Sequence, residues 1–469
     1  MKVLLMMPPM TIEENYANLK AVAANMPSIG LAYIYAAFKE VGCDVTFKDY
    51  QCQKVVINDV ISYIENECFD LVGMQAYITN INRCFKVANL IKEKRPQAKI
   101  ILGGPHATLF PNRVIEHDAV DYVAISEAEH TVKELVECLN KKIEPKGVLG
   151  LYYKDANNKI HKNPRRSFVE NIDELPVPTY EIFNADDYFP AVHIRGRRVH
   201  NIITSRGCPF KCKFCSATEV YGNRIRYQSI ERTINEMKLL KEKMSVDSLQ
   251  IYDDNFTTNK KRTKKLCTKM IEENLNLQWV CYTRADTIGD YEMLLLMKEA
   301  GCYMIVVGIE NGNERILKLI NKQLNLDVAK KNIELAERTK INVLSSFMIG
   351  LPSETIGEIE NTIEFSTSLS LTYATYPIFT PYPGTPIYED AKRYGTILSE
   401  NFDKFSRWGD GVYSSNGIDP GIYKKLQRKA FRRFYLRPMI IFKLLKELLK
   451  LPLERVYTFV TGGVAFLVK

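Results

Sequence analysis

Three cysteines in the run Ser205-Arg206-Gly207-Cys208-Pro209-Phe210-Lys211-Cys212-Lys213-Phe214-Cys215 carry the densest chemistry of this 469-residue chain. Three thiolates on one tight loop can hold three irons of a four-iron, four-sulfur cubane and leave the fourth iron open to an exogenous chelator. A zinc site normally wants four protein ligands, and no fourth Cys or His lies close in sequence. Zinc and a purely structural loop are the competing readings of the same run.

Further reactive types fall at the ends of apolar runs downstream. Asp253-Asp254-Asn255-Phe256-Thr257 follows one, Arg284 closes the next, and Gly308-Ile309-Glu310 closes a third. Ser346 precedes Phe347-Met348-Ile349-Gly350-Leu351-Pro352, and Tyr382 stands inside Thr380-Pro381-Tyr382-Pro383-Gly384-Thr385. Asp254 can equally belong to a solvated turn. Arg284 can steady a carboxylate through a bidentate contact, Glu310 can reach Arg284, and an ordinary salt bridge is the plainer account of both.

Upstream, the candidates are Pro8-Pro9, Pro27-Ser28-Ile29-Gly30-Leu31, Gly103-Gly104-Pro105-His106-Ala107-Thr108 and Ser126-Glu127-Ala128-Glu129. Their glycines allow a backbone to come close to a flat ligand.

The elements that must position these residues are alternating strands and helices. Residues 1–145 repeat short apolar runs (KVLLMM, CDVTFKD, FDLVGMQ, AKIILGG, AVDYVAI) with amphipathic segments between them. Five strands in that rhythm predict an α/β, doubly wound, flavodoxin-like domain that binds its ligand beyond the carboxyl ends of the strands. Residues 146–198 lose the rhythm, carry scattered prolines and read as a linker. Residues 199–400 start a second series of six strand-helix units, which predicts a partial (β/α)6 TIM-like barrel with its site at the strand carboxyl ends. Residues 401–469 read as a C-terminal basic helical region.

The net charge of +9 belongs to that tail, since Gly421 to Lys469 holds twelve Lys and Arg against Glu447 and Glu454. Ile441, Phe442, Leu444, Leu445, Leu448 and Leu449 recur there at helical spacing with lysines opposite. The tail can lie on an anionic membrane, cap the barrel near an acidic or lipid-like substrate, or pack as an ordinary last helix with a solvated lysine face. Charge confined to one tail, with no aromatic-basic reader module, argues against nucleic acid. The apolar run from Val456 to Val468 is too short to span a bilayer, against about 20 residues required, and the first residues do not form a signal peptide. Eleven cysteines without a secretory signal indicate a reducing compartment. Eight of them (Cys43, Cys52, Cys68, Cys84, Cys138, Cys267, Cys281 and Cys302) stand singly and read as small buried hydrophobes.

The cysteine run and the strand-end segments together resemble the radical S-adenosylmethionine superfamily, and within it the cobalamin-binding branch that includes anaerobic magnesium-protoporphyrin IX monomethyl ester cyclases and cobalamin-dependent methylases. The resemblance covers nearly the whole chain. It implies a 4Fe-4S cluster on Cys208, Cys212 and Cys215, with S-adenosyl-L-methionine chelating the open iron and cleaved to a 5′-deoxyadenosyl radical. It places Phe214 near adenine, the DDNF segment with Asp253 and Asp254 near the methionine amino group, and Glu310 and Ser346 near the ribose and adenine. It lets Arg284 act in the site and Tyr382 face substrate.

For the first domain it implies cobalamin, held by Pro9, Ser28, Gly30, Gly103, Gly104, His106 and Glu127. The family's D-x-H-x-x-G signature would fall on Asp49-Tyr50-Gln51-Cys52-Gln53-Lys54, which lacks the His and the Gly. Cobalamin is then bound without His ligation there, or not at all; His106 is the other histidine weighed as a cobalt ligand. Ser126 and Ala128 replace the glycines of the family's GEGE segment.

The function expected is methylation of an unactivated carbon on a small-molecule or lipid-like substrate, with electrons from a reductant such as flavodoxin or ferredoxin. Oxidative cyclisation or carbon-carbon coupling on a tetrapyrrole or lipid is the alternative, and a non-catalytic cobalamin or iron-sulfur sensor a third. The location expected is cytoplasmic, with peripheral membrane contact through the tail as an option.

Overall fold

The computed structural model describes every residue except 13, 15–22, 52–54, 407, 408, 410, 454 and 458–469. Cys52, Gln53 and Lys54 of the D-x-H-x-x-G position, and the end of the tail, lie outside the described residues.

The first sheet contains β1 (Lys2–Met10), β2 (Asp44–Gln51), β3 (Leu71–Gln75), β4 (Lys99–Gly103), β5 (Tyr122–Ala124), β6 (Leu151–Lys154) and β7 (Ile160–Lys162). Its order is β2-β1-β3-β4-β5-β6-β7, with β1 to β5 parallel and β6 and β7 antiparallel. The first five strands have the flavodoxin-like order, whose switch point lies between β1 and β3. Side chains alternate across the sheet: Leu4, Met6, Val72, Met74, Ile100 and Leu102 fill one core, and Val3, Leu5, Leu71 and Ile101 fill the other. Helices cover both faces, which is why these strands are apolar throughout rather than alternating with polar residues. The sheet continues past residue 145, because the segment read as a linker supplies β6 and β7; LYYK alternates buried and half-buried residues.

The second sheet runs β15-β14-β13-β12-β11-β8, all parallel: β8 (Val199–Ile202), β11 (Ser248–Ile251), β12 (Gln278–Arg284), β13 (Cys302–Glu310), β14 (Asn342–Phe347) and β15 (Tyr373–Thr375). This is the expected six-stranded partial barrel. Its helices start on local signals: Ser229 caps Ile230–Met244, and Thr355 with Glu358 forms a capping box on Ile356–Ser368. Between β8 and β11, β9 (Ser205–Arg206) and β10 (Arg226–Tyr227) pair antiparallel and set Arg206 opposite Arg226.

Residues beyond the barrel tie the two halves together. Phe402, Phe405 and Val412 join the core of the first sheet, while Tyr423, Phe431 and Phe434 of the helix Pro420–Tyr435 join the core of the barrel. The helix Pro438–Leu448 departs from the expected sidedness: Ile440 and Glu447 are buried, Lys443 pairs with Glu337, and Ile441, Phe442, Leu445 and Leu449 are exposed. The helix is packed on the barrel through Ile440 and Leu444 and leaves Lys446 and Lys450 exposed, but its exposed side also carries apolar residues. Among the described residues no helix is long and apolar enough to cross a membrane.

Candidate cofactor cleft and cysteine loop

The cysteine loop is held from below. At the end of β11, the buried Asp253 carboxylate accepts from Thr204 N at 2.6 Å, Thr204 Oγ1 at 2.7 Å and Ser205 Oγ at 2.6 Å. Burial raises the Asp253 carboxyl despite these donors. With its oxygens bonded to Thr204 and Ser205, Asp253 positions the loop. Gly207 then turns the chain at φ +95°, and an added Cβ would lie 2.3 Å from Arg224 O, so no side chain fits before Cys208.

Cys208 and Cys212 are half-buried, and Cys215 touches solvent while its sulfur is hemmed in by the protein. That partial burial, with Asp254 and the neighbouring thiols, pushes Cys215 up to about 12. Such a set of thiols suits a metal cluster that displaces their protons. Among the described residues no three His, Cys, Asp or Glu side chains are grouped to hold a single metal ion, whereas each thiolate of a cubane binds a different iron. Asp254 touches solvent but is otherwise enclosed, and burial together with Asp253 brings its carboxyl to about 6.

Around the loop, the barrel strand ends form a linked set. Arg284 Nη1 lies 3.7 Å from Cys212 Sγ, and its guanidinium stacks 3.9 Å over the Phe210 ring. Asp286 takes Arg284 in a bidentate pair at 3.0 and 2.9 Å, and Lys322 O accepts at 2.8 Å. The expected Arg284–Glu310 contact is thus replaced, since Asp286 stands only two residues away. Glu310 instead pairs with Lys322 at 3.1 Å, and Lys322 Nζ lies 5.8 Å over the Phe214 ring. Glu310 adopts φ +74°, folding back over Gly308, where a Cβ would meet Glu310 Oε1 at 2.2 Å. As it stands, the Glu310 carboxylate occupies the space that a side chain at Gly308 would take. Ser346 lies between Gly308 and Thr375 in the ladder and is half-buried.

Tyr382 lies elsewhere. It packs against the core of the first sheet, and a Cβ on neighbouring Gly384 would come within 3.0 Å of Leu109 and 3.1 Å of Phe110. Its loop is a contact between the two halves.

A cleft partly open to solvent, about 890 Å³ with that open space included, lies at the carboxyl ends of β3, β4 and β5, with Leu5 of β1 in its wall. Gly30, Gly103, Gly104 and Glu127 line it, together with Tyr77 and, from the barrel side, Arg206, Val220 and Tyr221. Gly104 has φ +96°, with Gln75 and Ala76 about 3 Å from any added Cβ. At Gly103 the nearest atoms to an added Cβ are 3.8 Å away, so a larger side chain would grow into the cleft itself.

Three of the expected lining residues are not there. Pro9 is buried in β1, and Ser28 caps the helix Ile29–Glu40 and donates to Gln75. His106 is buried 5.1 Å from the Phe110 ring and 5.4 Å from the Phe402 ring, with neither ring nitrogen hydrogen-bonded. Burial lowers it to about 4 and keeps it neutral, but it does not reach the cleft.

Glu127 does line the cleft, yet its carboxylate is spent on a buried ion network across the two halves. Arg206 donates to Glu127 at 3.1 Å and to Glu129 at 2.7 Å, Arg226 donates to Glu127 at 2.8 Å, and Val169 N adds a bond at 3.0 Å. All four charged side chains are buried. Burial alone would raise the Glu127 carboxyl, but Arg226 and Arg206 outweigh it and hold it below its ordinary value. Beside it, Ser126 at φ +65° donates to Val220 O at 2.7 Å. The arginines were missed in the sequence because their partners lie 77 to 99 residues away; the one local signal is an arginine two positions before the first cysteine.

Residues 202–366 match the Radical SAM superfamily and residues 17–136 the B12 binding domain. The chain is 34% identical over 444 residues to an uncharacterized methyltransferase of Pyrococcus horikoshii, covering 94% of each. It is 26% identical to the cytidylyl-2-hydroxyethylphosphonate methyltransferase of Streptomyces wedmorensis, covering 84% of this chain and 83% of that one. Its fold is similar to the radical S-adenosylmethionine methyltransferase TsrM of Kitasatospora setae, solved with cobalamin and a [4Fe-4S] cluster bound, with a TM-score of 0.71, 15% identity and coverage of 93% of this chain and 89% of that one. With two domain types in one chain, a cleft at the switch point of the first and three cysteines on the first loop of the second, the chain belongs to the radical S-adenosylmethionine enzymes that carry a B12-binding domain.

Proposed function

We infer that the chain is a cobalamin-dependent radical S-adenosylmethionine methyltransferase acting on an unactivated carbon of a small-molecule or lipid-like substrate. One observation carries the reading: the cleft of the B12-binding domain is walled by Arg206, Val220 and Tyr221, which flank the cysteine loop, so the two candidate cofactor sites share a wall. The relative that matches 94% of the chain is itself called a methyltransferase.

In this reading Cys208, Cys212 and Cys215 hold the 4Fe-4S cluster, and Arg284, 3.7 Å from Cys212, offsets its negative charge. Phe214, Asp254, Glu310 and Ser346 line the place of S-adenosyl-L-methionine. Gly30, Gly103 and Gly104 leave room for the corrin and its nucleotide tail. When bound, these groups supply hydrogen-atom abstraction and a methyl group; the protein aligns them and keeps water out. A small reductant such as flavodoxin or ferredoxin supplies electrons, and a cytoplasmic location accords with eleven cysteines and a cluster that needs a reducing compartment. Contact of the basic tail with a membrane is taken further below.

The test is anaerobic reconstitution with iron, sulfide and hydroxocobalamin, followed by assay of bound corrin, 5′-deoxyadenosine and S-adenosylhomocysteine. Corrin at about one per chain with both products is expected. 5′-Deoxyadenosine without S-adenosylhomocysteine points to cyclisation or coupling, and a loaded cluster with no corrin uptake sinks the methyl-transfer reading.

A further inference from the structure

The helix Pro438–Leu448 uses its polar side to hold on to the protein. Arg195 donates to Glu447 at 2.5 Å, Lys443 pairs with Glu337, and Leu444 packs against the barrel core. Its apolar side faces water. Ile441, Phe442, Leu445 and Leu449 are 44%, 59%, 55% and 88% exposed, and at 3.6 residues per turn they share one face. Leu436 and Met439 extend the patch in one direction and Leu453 and Tyr457 in the other, all of them exposed. A contiguous patch of this make-up marks a surface with a partner.

The charge beside the patch names the partner. Lys446 is exposed with its Nζ 4.2 Å from the centroid of the Phe442 ring, Arg432 and Arg433 are exposed just before Leu436, and Glu447, the acidic residue described in the segment, is buried and paired with both Arg195 and Lys450. We propose that this face docks on an anionic lipid bilayer, with the apolar side chains at the boundary of headgroups and acyl chains and the basic residues on the headgroup phosphates. A second copy packed face to face would bring two sets of basic residues together, which disfavours a dimer. The sequence that follows adds Phe459, Val460, Phe466 and Leu467 without an acidic residue. The contact is peripheral, because the helix has 11 residues against the ~20 that cross a bilayer. It stands whatever reaction the barrel performs.

The experiment is flotation of the full-length protein with vesicles of phosphatidylcholine alone or mixed with phosphatidylglycerol, at low and high salt. Binding to the mixed vesicles only, weakened by salt, is expected. The Phe442→Asp/Leu445→Asp variant should lose at least about tenfold in binding. Both positions are more than half exposed, so its melting temperature and corrin uptake should match those of the wild type. The proposal is overturned if the full chain ignores anionic vesicles, if both vesicle types bind it equally, or if the variant binds as well as the wild type. A dimer abolished by the same substitutions, or vesicle binding that appears only after residues 458–469 are removed, overturns it as well.

Discussion

Asp49 accepts from Gln51 N at 2.9 Å and from the Tyr188 hydroxyl at 2.9 Å, yet burial pushes its carboxyl up to about 6 from an ordinary 3.8. The folded chain holds this proton more tightly than the unfolded one. The stability it contributes is therefore fully present below pH 3.8 and lost as pH rises through about 6. Asp49→Asn keeps the shape and removes the buried charge. At neutral pH it should be more stable than the wild type by about 1–3 kcal/mol, with the gain vanishing below about pH 4; urea unfolding at both pH values checks this.

The two glycines of the cleft separate binding from folding. Gly103→Val should fold normally and take up less corrin, because its side chain occupies the cleft. Gly104→Ala, forced to φ +96° beside Ala76, should lose about 1–3 kcal/mol of stability and bind poorly as a consequence. Melting curves run beside corrin titrations distinguish the two, and a Gly103→Val protein with wild-type corrin uptake would remove the cleft from the proposed function.

At the scale of elements, the pairing of β9 with β10 places two arginines against one glutamate at the junction of the two halves. Glu127→Ala leaves both arginines buried without that partner and should cost about 3–5 kcal/mol. Glu127→Gln still accepts from Val169 N and should cost less; thermal unfolding of the two variants reads the difference. The parallel strands were legible in sequence because apolar runs of strand length alternate with amphipathic helices, and the cysteine run, Asp253, Gly308 and Glu310 all fall where those runs end. What those residues touch was not legible. Asp253 bonds Thr204 and Ser205, and Glu310 bonds Lys322, because hydrogen-bond partners depend on register and loop path, which no residue period encodes. β6 and β7 were hidden by the prolines and polar residues around four- and three-residue strands. The sidedness of the helix Pro438–Leu448 escaped for another reason: periodicity defines two faces but does not say which one the barrel takes.

Across the whole molecule, the first sheet, the barrel and the C-terminal segments share their boundaries. Tyr382 and Phe402 reach the first core from beyond the barrel, and Ser126 reaches the helix after the cysteine loop. The cleft is partly open to solvent but bounded by both halves, and four buried charges hold that joint together. A tenant that leaves by parting the halves must first unpair those charges, at about 3–5 kcal/mol, which slows departure by roughly 10²- to 10⁴-fold. Residence time, more than affinity, is then what the Arg206–Glu127–Arg226 network sets. Exchange of bound corrin against labelled corrin should be slow in the wild type and markedly faster in Glu127→Gln. Slow exchange would mean that one corrin is kept through many turnovers, much as a prosthetic group is kept, instead of being drawn from a free pool between cycles.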